Sequence, residues 1–237
     1  MSYRYRAVFV DLDDTLYAYE PCNEAGKEAA LETARDLGYD FERDEFRRYY
    51  QDARSEVKRE LAGTASAHER FLYFKRLIEI YTGTHKSRHA LELGEAYWDN
   101  YIEEMELFDG VTETLERFHD AGVKVAIVSN LTTRIQLKKL EHLGLESEID
   151  LVVTSEETGS EKPASVMFTL PLAQLDLRPS EAVMVGDSVE ADVEGGNALG
   201  LTTVLFEAGS QADDELRGRR QPDFRTDNFA DLAELVL

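Results

Sequence analysis

The chain has 237 residues, enough for one or two domains. Its 48 acidic against 26 basic side chains leave a net charge of −22, which argues against nucleic acid and against an anionic membrane surface, since both are met by basic patches. A hydrophobic content of 43% argues against disorder, and a single cysteine, Cys22, rules out an intrachain disulfide framework or a Cys-based zinc site.

Residues 7–10 (AVFV) form the first short apolar run, ending at Asp11. Comparable runs follow at 125–128, 151–153, 182–185 and 202–206. Each has the length and β-branched content of a buried parallel strand. Helical patterns separate the later ones, over 111–122, 132–144 and 188–200, each closing on a glycine that suits a C-cap. Strands alternating with helices predict βαβ units and an α/β, Rossmann-like parallel sheet.

Residues 17–108 break this rhythm. No strand is expected there. The spacing predicts an all-helical insertion of roughly four helices, over 22–37, 43–62, 66–81 and 87–105, with Ser66 and Glu69 as a capping box for the third. The expected organisation is therefore an α/β core of residues 1–16 and 109–237 and a helical domain of residues 17–108. The Gly-, Asp- and Arg-rich stretch 209–223 reads as a surface loop.

Right-handed crossovers would grow the first three strands in one direction, and a fourth strand returning on the other side of the first gives the order 5-4-1-2-3. The switch point then lies between strands one and four, where ligands bind in such sheets. Those two strands end in Asp11-Leu12-Asp13-Asp14-Thr15 and in Gly186-Asp187-Ser188 with Asp192. Carboxylates gathered this closely repel one another, and a divalent cation with oxygen ligands relieves the repulsion, which suits Mg²⁺. A carboxylate beside such a cation can attack phosphorus. The equatorial phosphoryl oxygens then need positive charge and N–H donors. Lys162, in the loop after strand three, and Ser129-Asn130, at the end of strand two, are the candidates. Taken singly, each feature has a plain structural reading. An Asp pair caps a helix, a lysine sits in solvent, and Gly-Asp-Ser is a turn. Their occurrence at the ends of successive predicted strands carries the argument.

The segments VFVDLDDTL, VSN, EKP and VGDSVEAD, in this order and with a helical block between the first two, resemble the haloacid dehalogenase superfamily, in its phosphatase-type branch with a helical C1 cap. The closing PDFRTDNFADLAELV is similar to that family's C-terminal strand and helix. The resemblance implies Asp11 as the nucleophile that takes the phosphoryl group and Asp13 as general acid, then general base. It implies Ser129, Asn130, Lys162 and Thr15 around the phosphate or its loop. Mg²⁺ would be held by Asp11, Asp13 (through its backbone carbonyl), Asp187 and Asp192, with Asp192 also able to position Lys162. Asp14 departs mildly from the pattern, since many members carry Gly there. Asp13 separates the chain from the family's dehalogenases, which lack that residue. A phosphomutase, a 2-haloacid dehalogenase and a non-catalytic binding protein remain alternatives to a Mg²⁺-dependent phosphomonoester hydrolase. The expected partner is a small phosphorylated metabolite, with no nucleic acid and no membrane, for a monomer or homodimer.

Specificity would lie in the helical domain, where Arg43, Arg47, Arg48, Arg54, Arg70 and Arg76 are basic candidates and Tyr49, Tyr50, Tyr73 and Trp98 aromatic ones. No run reaches the 18 apolar residues of a membrane span and the N-terminus lacks a signal-like apolar stretch, so a cytoplasmic enzyme is expected. Eight lysines against 18 arginines, together with the acidic excess, suggest adaptation to high salt.

Overall fold

The computed structural model describes residues 5–208 and 216–237, in two compact units. One comprises Met1–Ala18 and Glu106–Leu237, the other Tyr19–Met105. The boundaries expected at 16/17 and 108/109 move outward from the α/β unit for a local reason. Tyr17 bridges to Asp13 and to Leu107, and the Phe108 N–H donates to the Leu16 carbonyl at 2.8 Å.

The α/β unit is built on a parallel sheet of β1 (Ala7–Val10), β2 (Lys124–Ser129), β3 (Leu151–Thr154), β4 (Ala182–Gly186), β5 (Thr202–Phe206) and β6 (Phe224–Thr226). Their order is β3-β2-β1-β4-β5-β6. The five-strand order expected from sequence is present and extended at one edge. Phe224, Arg225 and Thr226 pair in parallel with Val204, Leu205 and Phe206. Residues 7–10 and 182–186 are buried throughout. A strand covered on both faces has no polar side to show, which is why these segments read as unbroken apolar runs. Burying a side chain such as Phe9 contributes about 1.5–3 kcal/mol. The strand ends are aligned by register, with Val10 opposite both Ile127 and Val185, and Ser129 opposite Thr154.

The helical unit holds α1 (Tyr19–Asp36), α2 (Arg43–Glu60), α3 (Arg70–Thr82) and α4 (Ser87–Glu103). Its core is aromatic: Phe46, Tyr50, Tyr73, Phe74, Tyr97, Trp98 and Tyr101 are buried. A Cβ on Gly26 would come within 2.8 Å of Tyr97, so glycine lets α1 lie against α4. Cys22 is buried on α1. The expected capping box at Ser66 is a correction. Residues Ala65–His68 form a separate 3-10 turn, and α3 is capped by Glu69, whose carboxylate accepts the Phe71 N–H at 3.1 Å.

The helices that flank the sheet are α5 (Val111–Asp120), α6 (Thr133–His142), α7 (Ser155–Thr158), α8 (Val166–Gln174), α9 (Gly195–Leu199) and α10 (Asp231–Val236). A π-type turn at Val189–Glu194 precedes α9. Of the surface loop expected at 209–223, residues 209–215 lie outside the described residues, and Gly218–Arg220 form one 3-10 turn. Among the described residues no helix is long and apolar enough to cross a membrane.

Candidate active site

The carboxyl ends of β1, β2 and β4 lie side by side, and each is followed directly by polar residues. Asp11 follows β1, and its N–H donates to the Val185 carbonyl at 2.9 Å, which ties the start of its loop to β4. Its side chain is 13% exposed. Asp187 follows β4, and Asp192 comes from the π-type turn after it. One carboxylate oxygen each from Asp11, Asp187 and Asp192 falls in a group whose members lie within 4.8 Å of one another.

Gly186 makes this approach possible. A Cβ there would lie 2.2 Å from the Asp192 Cγ. Asp192 Oδ2 accepts the Ser188 N–H at 3.0 Å, and Ser188 Oγ caps the turn by accepting the Ala191 N–H at 3.1 Å.

Lys162 reaches the same place from the loop after β3. Its side chain is 1% exposed and its Nζ lies 2.8 Å from Asp11 Oδ1 and 2.7 Å from Asp192 Oδ1. Asn130 fixes it by its backbone. The Lys162 N–H donates to Asn130 Oδ1 at 2.8 Å and the Asn130 amide donates to the Lys162 carbonyl at 3.3 Å. The Asn130 side chain is thus occupied in holding the lysine's loop. Ser129 is buried, and its Oγ accepts a hydrogen bond from Gln136 Nε2 on α6. Thr15 is fully buried in the loop after β1, and its hydroxyl has no hydrogen-bond partner.

The electrostatics follow from burial and crowding. Burial raises the Asp187 pKa, with Asp11, Asp192 and Asp14 adding to it, to about 8. Burial raises Asp11 to about 6, opposed by Lys162 and reinforced by Asp192 and Asp13. Burial alone would lower the Lys162 pKa, but Asp11 and Asp192 outweigh it and hold the ammonium above its ordinary value. One lysine does not neutralise three carboxylates. An all-oxygen donor set with an excess of negative charge suits a hard divalent cation such as Mg²⁺.

Asp13 stands apart from that trio. Its Oδ1 receives Lys139 Nζ at 2.6 Å and the Tyr17 hydroxyl. Lys139 is 1% exposed and lies 5.6 Å from the Tyr17 ring centroid. Sequence reasoning missed Lys139, Gln136 and Tyr17. The available signal was that Gln136 and Lys139, three apart on α6, share the stripe of Ile135 and Leu140, which are also buried. Polar residues on an apolar stripe reach a polar site or lack a partner.

A carboxylate paired with a buried ammonium, a second carboxyl held by another lysine, and an excess of negative charge suited to a divalent cation form a set of groups of the kind that covalent phosphoryl transfer uses.

Comparison with known proteins agrees with this geometry. The model of the haloacid dehalogenase-like hydrolase family matches residues 5–200. A ribulose-1,5-bisphosphate 5-phosphatase of Halopiger xanaduensis is 57% identical over 235 residues, covering 97% of this chain and 98% of that one. A glyceraldehyde 3-phosphate phosphatase of Methanopyrus kandleri is 29% identical, covering 98% of this chain and 97% of the relative. The crystal structure of a HAD phosphatase from Thermococcus onnurineus superposes with a TM-score of 0.72 at 25% identity, with 97% of each chain covered.

Proposed function

The chain belongs to the haloacid dehalogenase-like hydrolases and is a phosphatase of that family, and from that premise we propose that it is a Mg²⁺-dependent phosphomonoesterase of small phosphorylated sugars, working through an aspartyl phosphate. Ribulose 1,5-bisphosphate is the first substrate to test, because the 57% identical relative carries that activity in its name over nearly the full length of both chains. The observation that supports the chemistry best is the single site formed by Asp11, Lys162, Asp187 and Asp192.

In this reading the Asp11 carboxylate attacks phosphorus. A bond from its oxygen to phosphorus forms as the bond to the leaving oxygen breaks. Lys162 and Ser129 hold the phosphoryl oxygens, with Asn130 keeping the Lys162 loop in place. Asp13 gives its proton to the leaving alkoxide and then takes one from the water that cleaves the acyl phosphate. Lys139 and Tyr17 both contact Asp13 Oδ1, so the reading assigns the proton transfer to Oδ2 and makes Lys139 and Tyr17 positioning residues. Asp11, Asp187 and Asp192, with the Asp13 carbonyl, would hold Mg²⁺, which when bound supplies charge stabilisation at the phosphoryl group.

The test is phosphate release from ribulose 1,5-bisphosphate and from p-nitrophenyl phosphate, with Mg²⁺ and with EDTA. Mg²⁺-dependent release that Asp11→Asn abolishes is expected. Absence of release from every phosphomonoester with Mg²⁺ present would sink the reading. The partner is a small phosphorylated metabolite, met by a monomer or homodimer in the cytoplasm. The net charge of −22 fits a salt-adapted surface. Activity that rises from low to molar salt supports that, and inactivation over the same range counts against it.

A further inference from the structure

Gln136 lies on α6 and is fully buried. Its side-chain Nε2 donates to Ser129 Oγ at the end of β2, and among the described residues its Oε1 has no hydrogen-bond partner. Both residues belong to the α/β unit. A buried amide that leaves its oxygen unpaired costs free energy that an apolar side chain of the same size would not. Stability therefore does not explain a glutamine here. Its neighbours on the buried stripe of α6 sharpen the point. Ile135 and Leu140 are apolar, while Gln136 and Lys139, three apart on one face, each reach a residue of the candidate site. Lys139 Nζ meets Asp13 Oδ1 at 2.6 Å, and Gln136 meets Ser129.

A serine hydroxyl has one proton to give and two lone pairs to offer, and either can face a ligand. The Gln136 N–H occupies one lone pair of Ser129 Oγ, so the Ser129 proton is not spent on Gln136. Among the described residues no acceptor takes that proton. Ser129 is 2% exposed, so bulk water has little access to it. β2 pairs with β1, with Val10 opposite Ile127, which sets Ser129 and Asp11 at neighbouring strand ends. A phosphoryl oxygen repels a lone pair and attracts an O–H. A hydroxyl already committed as a donor needs no reorganisation when charge builds on that oxygen.

We propose that Gln136 is a positioning residue for phosphoryl transfer, which by donating to Ser129 Oγ commits the Ser129 proton to a phosphoryl oxygen. This rests on the place given to Ser129 in the function proposed above. Gln136 touches no reacting atom in this scheme and acts through Ser129 alone.

A double-mutant cycle tests it. Wild type, Gln136→Met, Ser129→Ala and the double variant are compared on p-nitrophenyl phosphate with Mg²⁺. Ser129→Ala is expected to lower kcat/KM about 10²-fold, as loss of one donor at a developing anion does. Gln136→Met is expected to lower it about tenfold, since the donor stays and only what aims it is lost. In the Ser129→Ala background the same Gln136→Met change is expected to have no effect. Methionine keeps the volume and has no amide oxygen to strand, so the melting temperature should not fall. A merely structural glutamine gives a lower melting temperature and the same loss of rate in both backgrounds, and that overturns the proposal. So does a Ser129→Ala protein as active as wild type. A rate that rises in Gln136→Met overturns it as well, because Gln136 would then be taking the Ser129 proton. Calorimetric titration of inorganic phosphate into the four Mg²⁺-loaded proteins repeats the cycle without turnover. Binding about tenfold weaker in Gln136→Met, with no further change on top of Ser129→Ala, is expected. An affinity that Gln136→Met leaves unchanged counts against the proposal. If no phosphomonoester is hydrolysed, the phosphatase mechanism fails by itself, and the titration still judges Gln136.

Discussion

In the α/β unit, Lys139 and Lys162 are each 1% exposed and each meets a carboxylate at 2.6–2.8 Å. In the helical unit, Arg70 is nearly as buried and meets two phenols, a carbonyl and four rings. The lysines are locked by opposite charge, which orients Asp11 and Asp13 and leaves an acidic site that calls for a further cation. The arginine is locked by neutral groups, so its field persists beyond them. Buried cations of the same sign are thus held in two ways, the lysines by anionic side chains and the arginine by neutral hydroxyls, a carbonyl and rings.

The largest effect tests the α/β side of this contrast. Asp11→Asn removes the proposed nucleophile and should lower kcat by at least about 10³-fold, as loss of a nucleophile does in other covalent catalysts. Phosphate release under saturating substrate measures it. A residual rate within tenfold of wild type would move the nucleophile elsewhere. Lys162→Met should cost stability as well as rate. It leaves Asp11 and Asp192 buried without their counter-ion, a loss of about 3–5 kcal/mol for a broken buried pair. Arg70→Met strands no carboxylate and gives up hydrogen bonds and ring contacts, so it should cost only about 2 kcal/mol. Denaturant unfolding of both variants fixes the order. Arg70→Met proving the more damaging would mean that its charge is balanced after all.

Metal removal sharpens the contrast through pH. In the metal-free protein Asp187 sits at about 8 and Asp11 at about 6, against 3.8 for an unperturbed Asp. A folded-state pKa above the unfolded one means that the native chain binds more protons between those values. The stabilisation is complete below about pH 4 and is lost as pH rises toward 8. The metal-free protein should therefore melt at lower temperature at pH 8 than at pH 5, as far as this site contributes. Mg²⁺ binds the ionised form and should narrow that gap by mass action. Melting curves in EDTA and in Mg²⁺ that run parallel across this window would argue against a cation at the trio.

The sequence made most of the α/β site legible because strand ends are marked twice, by the end of an apolar run and by the polar residues that follow. Asp11, Ser129 and Asp187 each sit directly at such an end. Lys139 was hidden because a Lys-Lys pair on a short helix reads as solvent-facing, and only the fold shows that one of the two points at Asp13. The arginines of the helical unit could be named but not sorted, since the acids that neutralise Arg47 and Arg43 lie on α1, across the helix packing. Local pattern cannot say which of six basic residues keeps its charge. The cap of α3 was misplaced for a similar reason. Ser66 has the right spacing to Glu69, but residues 65–68 close their own 3-10 turn first.

The smallest effect concerns Asp14, a position where many members of the family carry glycine. Its φ is +57°, in the left-handed region that side chains other than Gly, Asn and Asp seldom occupy. Asp14→Gly relieves that conformation but gives the unfolded chain more freedom, and these contributions, each of order 0.5–1 kcal/mol, nearly cancel. The electrostatic part does not cancel. Asp14 is among the charges that raise the Asp187 pKa, so removing it should lower that pKa and stabilise the metal-free protein where Asp187 is ionised. The gain should be under about 1 kcal/mol at pH 8 and smaller at pH 5, where Asp187 carries its proton. Chemical denaturation of the variant at the two pH values measures the difference. A gain that is the same at both would assign it to the backbone alone, and the repulsion between the loops after β1 and β4 would then be weaker than their spacing implies.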